Sequence, residues 1–476
     1  MDYSEEKNSM IIDGTVLFIS LALLCASAAG AIYTGTGSLL AVDFYRILTS
    51  PCPLVTDYFG VGSMPATFLN AGLCGLAMWA FMALLPGPSH VNTLAGYFLV
   101  ISHAFYGLNF LNMWPCFFAS FLYLKLNHLD FNENLHICMF TTCFSPFVSE
   151  LLFRYTLDEW YPGLVKVTGG GVFLTICFVF VVAFVAPAIL PGSKAWHKGY
   201  NLYNGGLAFG MLGFLMYNLL YRTMGVRAPA APLFVNPLYD SVDRSYFFFG
   251  HGFFLLLFSA CVAAGFLLNG WSFRGLSLLF TDTGYQSNFA RKYGMPLCLI
   301  NIGIYGMFFL LYLDIVTFYT NGAGFTGPTF GVIFASLTFT AMGQHPRNVW
   351  PILLGYPLLS MFAWAFNIQL AGEASWTISS QAYINSVAFA TGLCPLVGRY
   401  GAKAGVAAGF LCASLCTATS ALHGGLMLYN GGFTAGVTAL ILLPILEHYM
   451  PAPRESMVEH IDLNDMMTIR GRDEAK

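Results

Sequence analysis

Charge is the scarcest feature of this 476-residue sequence, in which Asp, Glu, Lys and Arg together make up 9% of residues and apolar residues 57%. A soluble domain carries roughly 25% charged residues, so this chain could not cover a water-exposed surface of its size. Long apolar runs recur, several of them near the roughly 20 residues that span a bilayer. The formal net charge of −3 and the lack of a basic arm argue against a nucleic-acid partner. These features predict a polytopic integral membrane protein.

Signatures of catalysis and metal binding are also missing. The twelve cysteines include no Cys-x-x-Cys pair, and most lie in apolar runs as small buried side chains. There is no Walker loop, His-Glu-x-x-His or Gly-x-Ser-x-Gly motif. We therefore expect no metal, no cofactor and no enzymatic activity, and no ATP-driven transport by this chain alone. The acidic N-terminus lacks the basic region of a signal peptide, so the first apolar run is predicted to remain as a spanning helix.

What the sequence does contain is an internal duplication. Four motifs of the first half return in the same order in the second half. They are Met-Pro-x4-Asn-x-Gly-x2-Gly at 64–75 and 295–306, Asn-x-Trp-Pro at 112–115 and 348–351, Pro-x-Val at 146–148 and 395–397, and His-x6-Asn-Gly-Gly at 197–206 and 423–432. In membrane proteins, duplicated halves usually face each other across a solute pathway.

Hydropathy divides the chain into a first repeat over 1–221, a linker over 222–245, a second repeat over 246–449 and a soluble tail over 450–476. Two elements, near 114–127 and 328–343, are too short to span and are predicted to be half-helices or re-entrant segments. The fourteen predicted elements lie near 14–33, 64–86, 94–111, 114–127, 135–153, 168–190, 201–221, 246–268, 295–320, 328–343, 349–371, 378–397, 402–422 and 426–449. This predicts an all-α membrane protein with two homologous halves of five to seven membrane elements each.

Seven elements per half is an odd number, so the second half would enter the membrane in the opposite sense, as an inverted repeat. If one element per half is re-entrant, the parity changes and the halves become parallel. Under the fourteen-span reading, loops on the N-terminal side hold fourteen of the twenty Lys and Arg residues. The positive-inside rule then predicts a multi-pass protein of the cell membrane with both termini in the cytoplasm.

Polar residues at the starts of the apolar runs are the candidate solute ligands. Asparagine and histidine can hydrogen-bond a polar solute, but the same residues also bridge helices, cap helix starts or sit at the membrane interface. Both interpretations remain open for each residue. The duplicated candidates are Asn70 and Asn301, Asn204 and Asn430, His197 and His423, and Asn112 and Asn348.

Ionisable residues inside spans are costly and therefore informative. Glu150 and Asp314 are the candidates for ion coupling, and neither has an acidic counterpart in the other half. The alternative is that both lie at helix ends near lipid headgroups. His103 and His251 stand alone in apolar runs and are weaker candidates.

The paired Met-Pro-x4-Asn-x-Gly-x2-Gly and Leu-Tyr-Asn-Gly-Gly segments give the chain a family resemblance. Over nearly its whole length it resembles a family of duplicated bacterial polytopic membrane proteins with no assigned function, which implies a bacterial plasma-membrane protein. The Tyr-Asn-Gly turns at 203–205 and 429–431 also give the chain a second, fainter resemblance, to urea-transporter-type channels. That likeness implies two inverted halves, although the Asn-Asn-Pro pore segment of those channels is missing here.

The leading hypothesis is a transporter or channel for a small polar solute, with the pathway between the two halves. Few intramembrane charges favour a neutral or singly charged solute. The expected partners are membrane lipids and that solute, and a homo-oligomer is compatible with the sequence. The alternatives are a membrane-embedded enzyme or redox subunit acting on a lipid or quinone, and a structural subunit of a larger membrane complex.

Overall fold

The computed structural model describes residues 5–53, 56–228, 244–319, 325–370 and 381–450, and all regular structure in these ranges is helical. The helices of the first half are α1 Glu5–Thr34, α2 Leu40–Thr49, α3 Tyr58–Val61, α4 Met64–Leu84, α5 Val91–His103, α6 Met113–Leu126, α7 Phe131–Thr141, α8 Ser145–Phe153, α9 Gly169–Trp196 and α10 Asn204–Tyr217, with a π-helical turn at Asn218–Thr223.

The second half repeats this order element by element. Its helices are α11 Arg244–Leu268, α12 Leu276–Leu279, α13 Phe289–Tyr293, α14 Met295–Tyr319, α15 Gly327–Ser336, α16 Pro346–Leu370, α17 Gln381–Ala390, α18 Cys394–Tyr400, α19 Ala402–Leu422 and α20 Asn430–Tyr449. A 3₁₀ turn precedes α8 at Thr142–Phe144, and another precedes α18 at Thr391–Leu393.

Nine helical stretches in the described ranges are long and apolar enough to cross a membrane. They are α1, α4, the α7–α8 stretch Phe131–Phe153, α9, α11, α14, α16, α19 and α20. The predicted short elements correspond to α6 and α15, which are apolar but too short to span. The protein is therefore an all-α, multi-pass membrane protein built from two homologous halves.

Parts of the predicted linker and tail lie outside the described residues. The linker was predicted over 222–245, of which 229–243 are not described, and the tail from 450 is described only at its first residue. The boundaries of the two repeats and of these segments remain predictions.

Equivalent helices build each half and also the contact between the halves. In the first half α1 packs along α4, and in the second half α11 packs along α14. Between the halves, α5 packs on its counterpart α15, and α10 packs on its counterpart α20. Each of α5, α10, α15 and α20 is adjacent in sequence to a non-helical break, so the breaks gather at this central contact.

Candidate functional site

The duplicated Leu-Tyr-Asn-Gly-Gly segments meet each other at the centre of the interface. A Cβ atom on Gly206 would lie 2.5 Å from the carbonyl carbon of Gly432, and one on Gly432 would lie 3.0 Å from Cα of Gly206. No side chain fits between these backbones, which explains why glycine occupies both positions. Nearby contacts are reciprocal, because Gly210 meets Phe433 while Gly436 meets Leu207. Such exchange of equivalent partners is the signature of a twofold relation, here a pseudo-twofold axis between the halves.

Equivalent segments run in opposite directions past this axis. From the start of α10 to its end, the contacted residues of the second half shift from the start of α20 back into the segment that precedes it. The pairs are Gly206 with Gly432, Gly213 with Met427, and Tyr217 with Gly424. The contact of α5 with α15 behaves alike, since Gly327 approaches the Phe105 carbonyl and Gly331 approaches the Ser102 carbonyl.

Backbone hydrogen bonds also cross the axis in matched pairs. The N–H of Leu202 donates to the carbonyl of Gly392 at 2.9 Å, and the N–H of Leu428 donates to the carbonyl of Cys143 at 3.2 Å. Leu202 and Leu428 belong to the breaks before α10 and α20, and their acceptors belong to the 3₁₀ turns of the opposite half. Each half therefore satisfies backbone groups that the helix breaks of the other half leave free.

The structure brings each duplicated histidine together with its asparagine across a helix break. In the first half, Nε2 of His197 lies 3.1 Å from Oδ1 of Asn204, which also accepts the Ser193 hydroxyl at 2.6 Å. In the second half, Nδ1 of His423 lies 3.2 Å from Oδ1 of Asn430. The imidazole of His423 reaches further, because its Nε2 lies 2.9 Å from the Gly210 carbonyl in the first half.

Asn70 and Asn301 hold the chain where α5 and α15 end. Both are fully buried, and the side-chain amide of each donates to two backbone carbonyls of the break that follows. Oδ1 of Asn70 also accepts the N–H of Phe110 at 3.0 Å. The residue equivalent to Phe110 is Pro346, which has no N–H, and Oδ1 of Asn301 is left without a partner. The four carbonyls are those of Ala104 and Leu108 for Asn70, and of Thr340 and Gln344 for Asn301.

Asn112 and Asn348 close the loops that lead into α6 and α16. The side-chain amide of Asn112 donates to the Gly107 carbonyl at 3.0 Å, and that of Asn348 donates to the Gly343 carbonyl at 2.8 Å. Asn112 additionally donates to the hydroxyl of Ser149 at 2.8 Å.

The eight duplicated candidates thus occupy matched positions at the helix breaks, and their polar atoms mostly satisfy backbone groups. These contacts support the interpretation in which the asparagines bridge helices and hold the ends of broken helices in place. Their assignment as solute ligands stays a prediction.

Each of the two acidic candidates contacts a basic side chain. Oε1 of the buried Glu150 contacts the Arg154 guanidinium and accepts the Tyr221 hydroxyl at 3.0 Å, while its Oε2 has no partner. Oδ1 of Asp314 lies 2.7 Å from Nε2 of His251, and the Asp314 side chain is 32% exposed. His251 stands alone in its apolar run of the sequence, and the packing of α11 on α14 brings the Asp314 carboxylate to it.

Asp57 joins the halves at the start of α15. Its Oδ1 accepts the N–H of Phe59 at 2.9 Å and, across the interface, the N–H of Gly327 at 3.0 Å. Burial raises the pKa of the Asp57 carboxyl to about 7, although both hydrogen bonds oppose that shift. Asn288 stands at the equivalent position of the second half and caps only its own helix, α13.

The two motif tyrosines meet different residues across the axis. In one case the Tyr203 hydroxyl donates to the Ala335 carbonyl at 2.5 Å, and its ring packs edge-on against Phe339 with 4.6 Å between centroids. Tyr429, its counterpart, lies 5.4 Å from the ring of His103, the residue equivalent to Phe339. The Leu99 carbonyl, equivalent to that of Ala335, lies 2.6 Å from Nδ1 of His103 and makes no bond with the Tyr429 hydroxyl.

This asymmetry leaves a group of polar atoms without hydrogen-bond partners at the axis. They are Nε2 of His103 and the Tyr429 hydroxyl, and both side chains are buried. The Leu428 carbonyl also faces the His103 ring, but a carbonyl can only accept. Beside His103, the buried hydroxyls of Ser102 and Tyr106 face each other. In the sequence His103 is only a weaker candidate, and neither Tyr106 nor Tyr429 is a candidate. The alignment of His103 with Phe339 is the signal that could have found the site, because the two halves differ there in chemistry.

In the described ranges, no group of three or more His, Cys, Asp or Glu side chains is placed to hold a metal ion.

Fold and interface together define a class: a multi-pass membrane protein whose two homologous halves meet about a pseudo-twofold axis at broken helices. The family model of DUF1576, described as a protein of unknown function, matches residues 38–222 and 268–448. The two matched regions cover more than half of the chain, which therefore belongs to the DUF1576 family, and each lies in one half. No curated protein and no solved structure matches the chain.

Proposed function

We propose that this protein is a transporter or channel for a small polar solute, embedded in the cell membrane, with its pathway between two inverted halves. The observation that carries the proposal is the meeting of equivalent broken helices about the pseudo-twofold axis. Irregular backbone at membrane depth is tolerated where it is buried in protein or lines a cavity. Discontinuous helices at the repeat interface are also where secondary transporters bind their substrates.

The direction of the contacting segments supports the inverted arrangement. α20 spans by length, and α10 runs antiparallel to the segment that leads into it. A twofold axis that relates oppositely directed spans lies in the membrane plane, which is the geometry of inverted repeats. An inverted arrangement requires each half to cross the membrane an odd number of times, with both termini on one side. The second half has five helices long enough to span, and the first half reaches five when α10 is added to its four. We propose that this side is the cytoplasm, as the positive-inside rule predicts for the fourteen-span arrangement.

Coupling to an ion is a separate part of the proposal. Glu150 is the better candidate, because one carboxylate oxygen is buried without a partner while the other is held by Arg154. Asp314 is paired with His251 and more exposed, so it fits a position closer to the headgroups.

Solute flux into proteoliposomes tests the proposal directly. We expect protein-containing vesicles to take up at least one of a panel of small neutral solutes faster than empty vesicles of the same lipid. Equal rates for every solute would contradict transport and favour the structural-subunit alternative. Heat-inactivated protein reconstituted at the same density is the control for nonspecific leakage.

A cross-link between the halves separates a carrier from a channel. Nζ of Lys198 in the first half lies 2.8 Å from Oε1 of Glu447 in the second half, and both side chains are exposed. Joining cysteines at these two positions with a short bifunctional thiol reagent would stop movements between the halves. A carrier should lose flux on cross-linking, whereas a static channel should keep it. The single variants Lys198→Cys and Glu447→Cys, treated identically, control for modification alone.

A further inference from the structure

We infer that Ser102, His103, Tyr106 and Tyr429 form a binding site for a small uncharged molecule that carries both a hydrogen-bond donor and a hydrogen-bond acceptor, such as an amide or an alcohol. The inference rests on the proposed function and names the class of solute for it.

The protonation of His103 follows from its contacts. A backbone carbonyl can only accept, so the 2.6 Å contact with Leu99 places the proton on Nδ1. In the neutral ring Nε2 is then an acceptor, and it has no donor within the protein. The solute must therefore supply an N–H or O–H group to this nitrogen.

The three hydroxyls around this imidazole can both donate and accept. Two of them belong to rings that lie beside the imidazole, since the His103 centroid lies 5.3 Å from that of Tyr106 and 5.4 Å from that of Tyr429. Ser102 precedes His103 in the chain and lies at the contact of α5 with α15. These hydroxyls would satisfy the acceptor of the same solute.

Unpaired buried polar groups are uncommon in folded proteins and call for an explanation. Two such groups, Nε2 of His103 and the Tyr429 hydroxyl, lie in neighbouring side chains at the interface of the halves, and each missing partner destabilises the folded state. A bound solute would supply the missing partners. No Lys, Arg, Asp or Glu belongs to the group, so a charged solute would be buried there without a counter-ion, which is far more costly.

The matched half of the interface shows what the position looks like without a site. There Phe339 replaces His103, and the Tyr203 hydroxyl is already bonded to a carbonyl. Tyr203→Phe is therefore the matched control for Tyr429→Phe, because each variant removes one tyrosine hydroxyl from the same motif. His103→Phe copies the residue that the second half carries.

Binding is tested with the full-length protein in detergent micelles, by the shift of its thermal unfolding midpoint with solute concentration. Acetamide probes the amide class and glycerol the alcohol class, while acetate is the charged counterpart of acetamide in nearly the same shape. We expect acetamide or glycerol, but not acetate, to stabilise the wild type and Tyr203→Phe. The apparent Kd should rise at least about tenfold in His103→Phe and Tyr429→Phe.

Two outcomes would overturn the site. One is that neither neutral solute stabilises the wild type relative to His103→Phe and Tyr429→Phe. The other is that all four proteins respond equally. If His103→Phe does not fold, the comparison of Tyr429→Phe with Tyr203→Phe is sufficient to test the site, because each of these variants removes only one hydroxyl oxygen.

Flux measurements on the same variants separate this site from the proposed function. Wild-type flux in both His103→Phe and Tyr429→Phe would contradict the site and leave transport standing. Specific binding in micelles with no flux in proteoliposomes would support the site and contradict transport.

Discussion

The two tyrosines that face each other across the axis have matched backbones and unlike surroundings. Tyr203 meets a phenylalanine and a free carbonyl, so its hydroxyl is satisfied, whereas Tyr429 meets His103 and its hydroxyl is not. The shared contacts around them, from Gly206 on Gly432 to the paired backbone hydrogen bonds, hold the halves together. The comparison indicates that the repeated residues build the interface, while the places where the halves differ carry chemistry.

The largest effect is expected from removing the Asn70 hydrogen bonds to the backbone that follows α5. Asn70→Leu would leave two carbonyls and the N–H of Phe110 unpaired in the interior, a loss of about 3 kcal/mol or more from the free energy of unfolding. Asn301→Leu would leave only two carbonyls, because Pro346 offers no N–H. Unfolding in mixed micelles titrated with denaturing detergent should therefore show Asn301→Leu to be the milder change by about 1–3 kcal/mol. Equal losses would mean that the hydrogen bonds of the two asparagines are energetically alike.

Close approach of the halves predicts a sharp contrast between neighbouring glycines. The Cβ atom of Gly206→Ala would overlap the backbone of Gly432, at a cost of about 1–3 kcal/mol in unfolding free energy. Gly205→Ala is the matched control, since its Cβ would make only ordinary contacts, with the Phe209 ring at 3.6 Å and with Cδ1 of Leu190 at 3.9 Å. The same micelle titration measures both variants. A Gly206→Ala protein as stable as Gly205→Ala would contradict the contact at the axis.

Asp57 predicts a pH dependence that its counterpart Asn288 cannot have. The pKa of its carboxyl rises from 3.8 to about 7 on folding, so between these values the folded protein holds a proton that the unfolded chain releases. The resulting stabilisation is complete below about pH 4 and is lost as pH rises through 7, by up to about 1.4 kcal/mol per pH unit. Thermal unfolding across this range should show a negative slope that Asp57→Asn reduces. An unchanged slope in Asp57→Asn would assign the titration to other groups.

The smallest effect tests the asymmetry itself. His103→Phe should raise the free energy of unfolding by about 1 kcal/mol in the absence of solute, because it removes an unpaired nitrogen and frees the Leu99 carbonyl for the Tyr429 hydroxyl. Phe339→His at the matched position should not stabilise, since the Tyr203 hydroxyl already occupies the carbonyl there. A lower free energy of unfolding in His103→Phe would show that the imidazole stabilises the fold, and would contradict the claim that its unpaired nitrogen destabilises it.

Much of the architecture could be read from the sequence, because apolar runs and the order of repeated motifs depend only on local composition. The run predicted at 295–320 corresponds to the helix Met295–Tyr319, and the short element predicted near 328–343 corresponds to the short helix Gly327–Ser336. The site was harder to predict, since hydrogen-bond partners such as the Leu99 carbonyl are fixed by tertiary packing. Histidine and asparagine at the breaks gave the stronger sequence signal. The role inferred for His103 and Tyr429 depends on their contact with each other across the axis, which the sequence does not show.

Inversion of the two halves about a pathway is the central claim, and the accessibility of two matched loops tests it most directly. Ser38 follows α1 and Arg274 follows α11, and both are exposed. A membrane-impermeant thiol reagent added to intact cells should label Ser38→Cys, and should label Arg274→Cys only after the membrane is permeabilised. Labelling of both from the same side would contradict inverted halves and the pathway built on them.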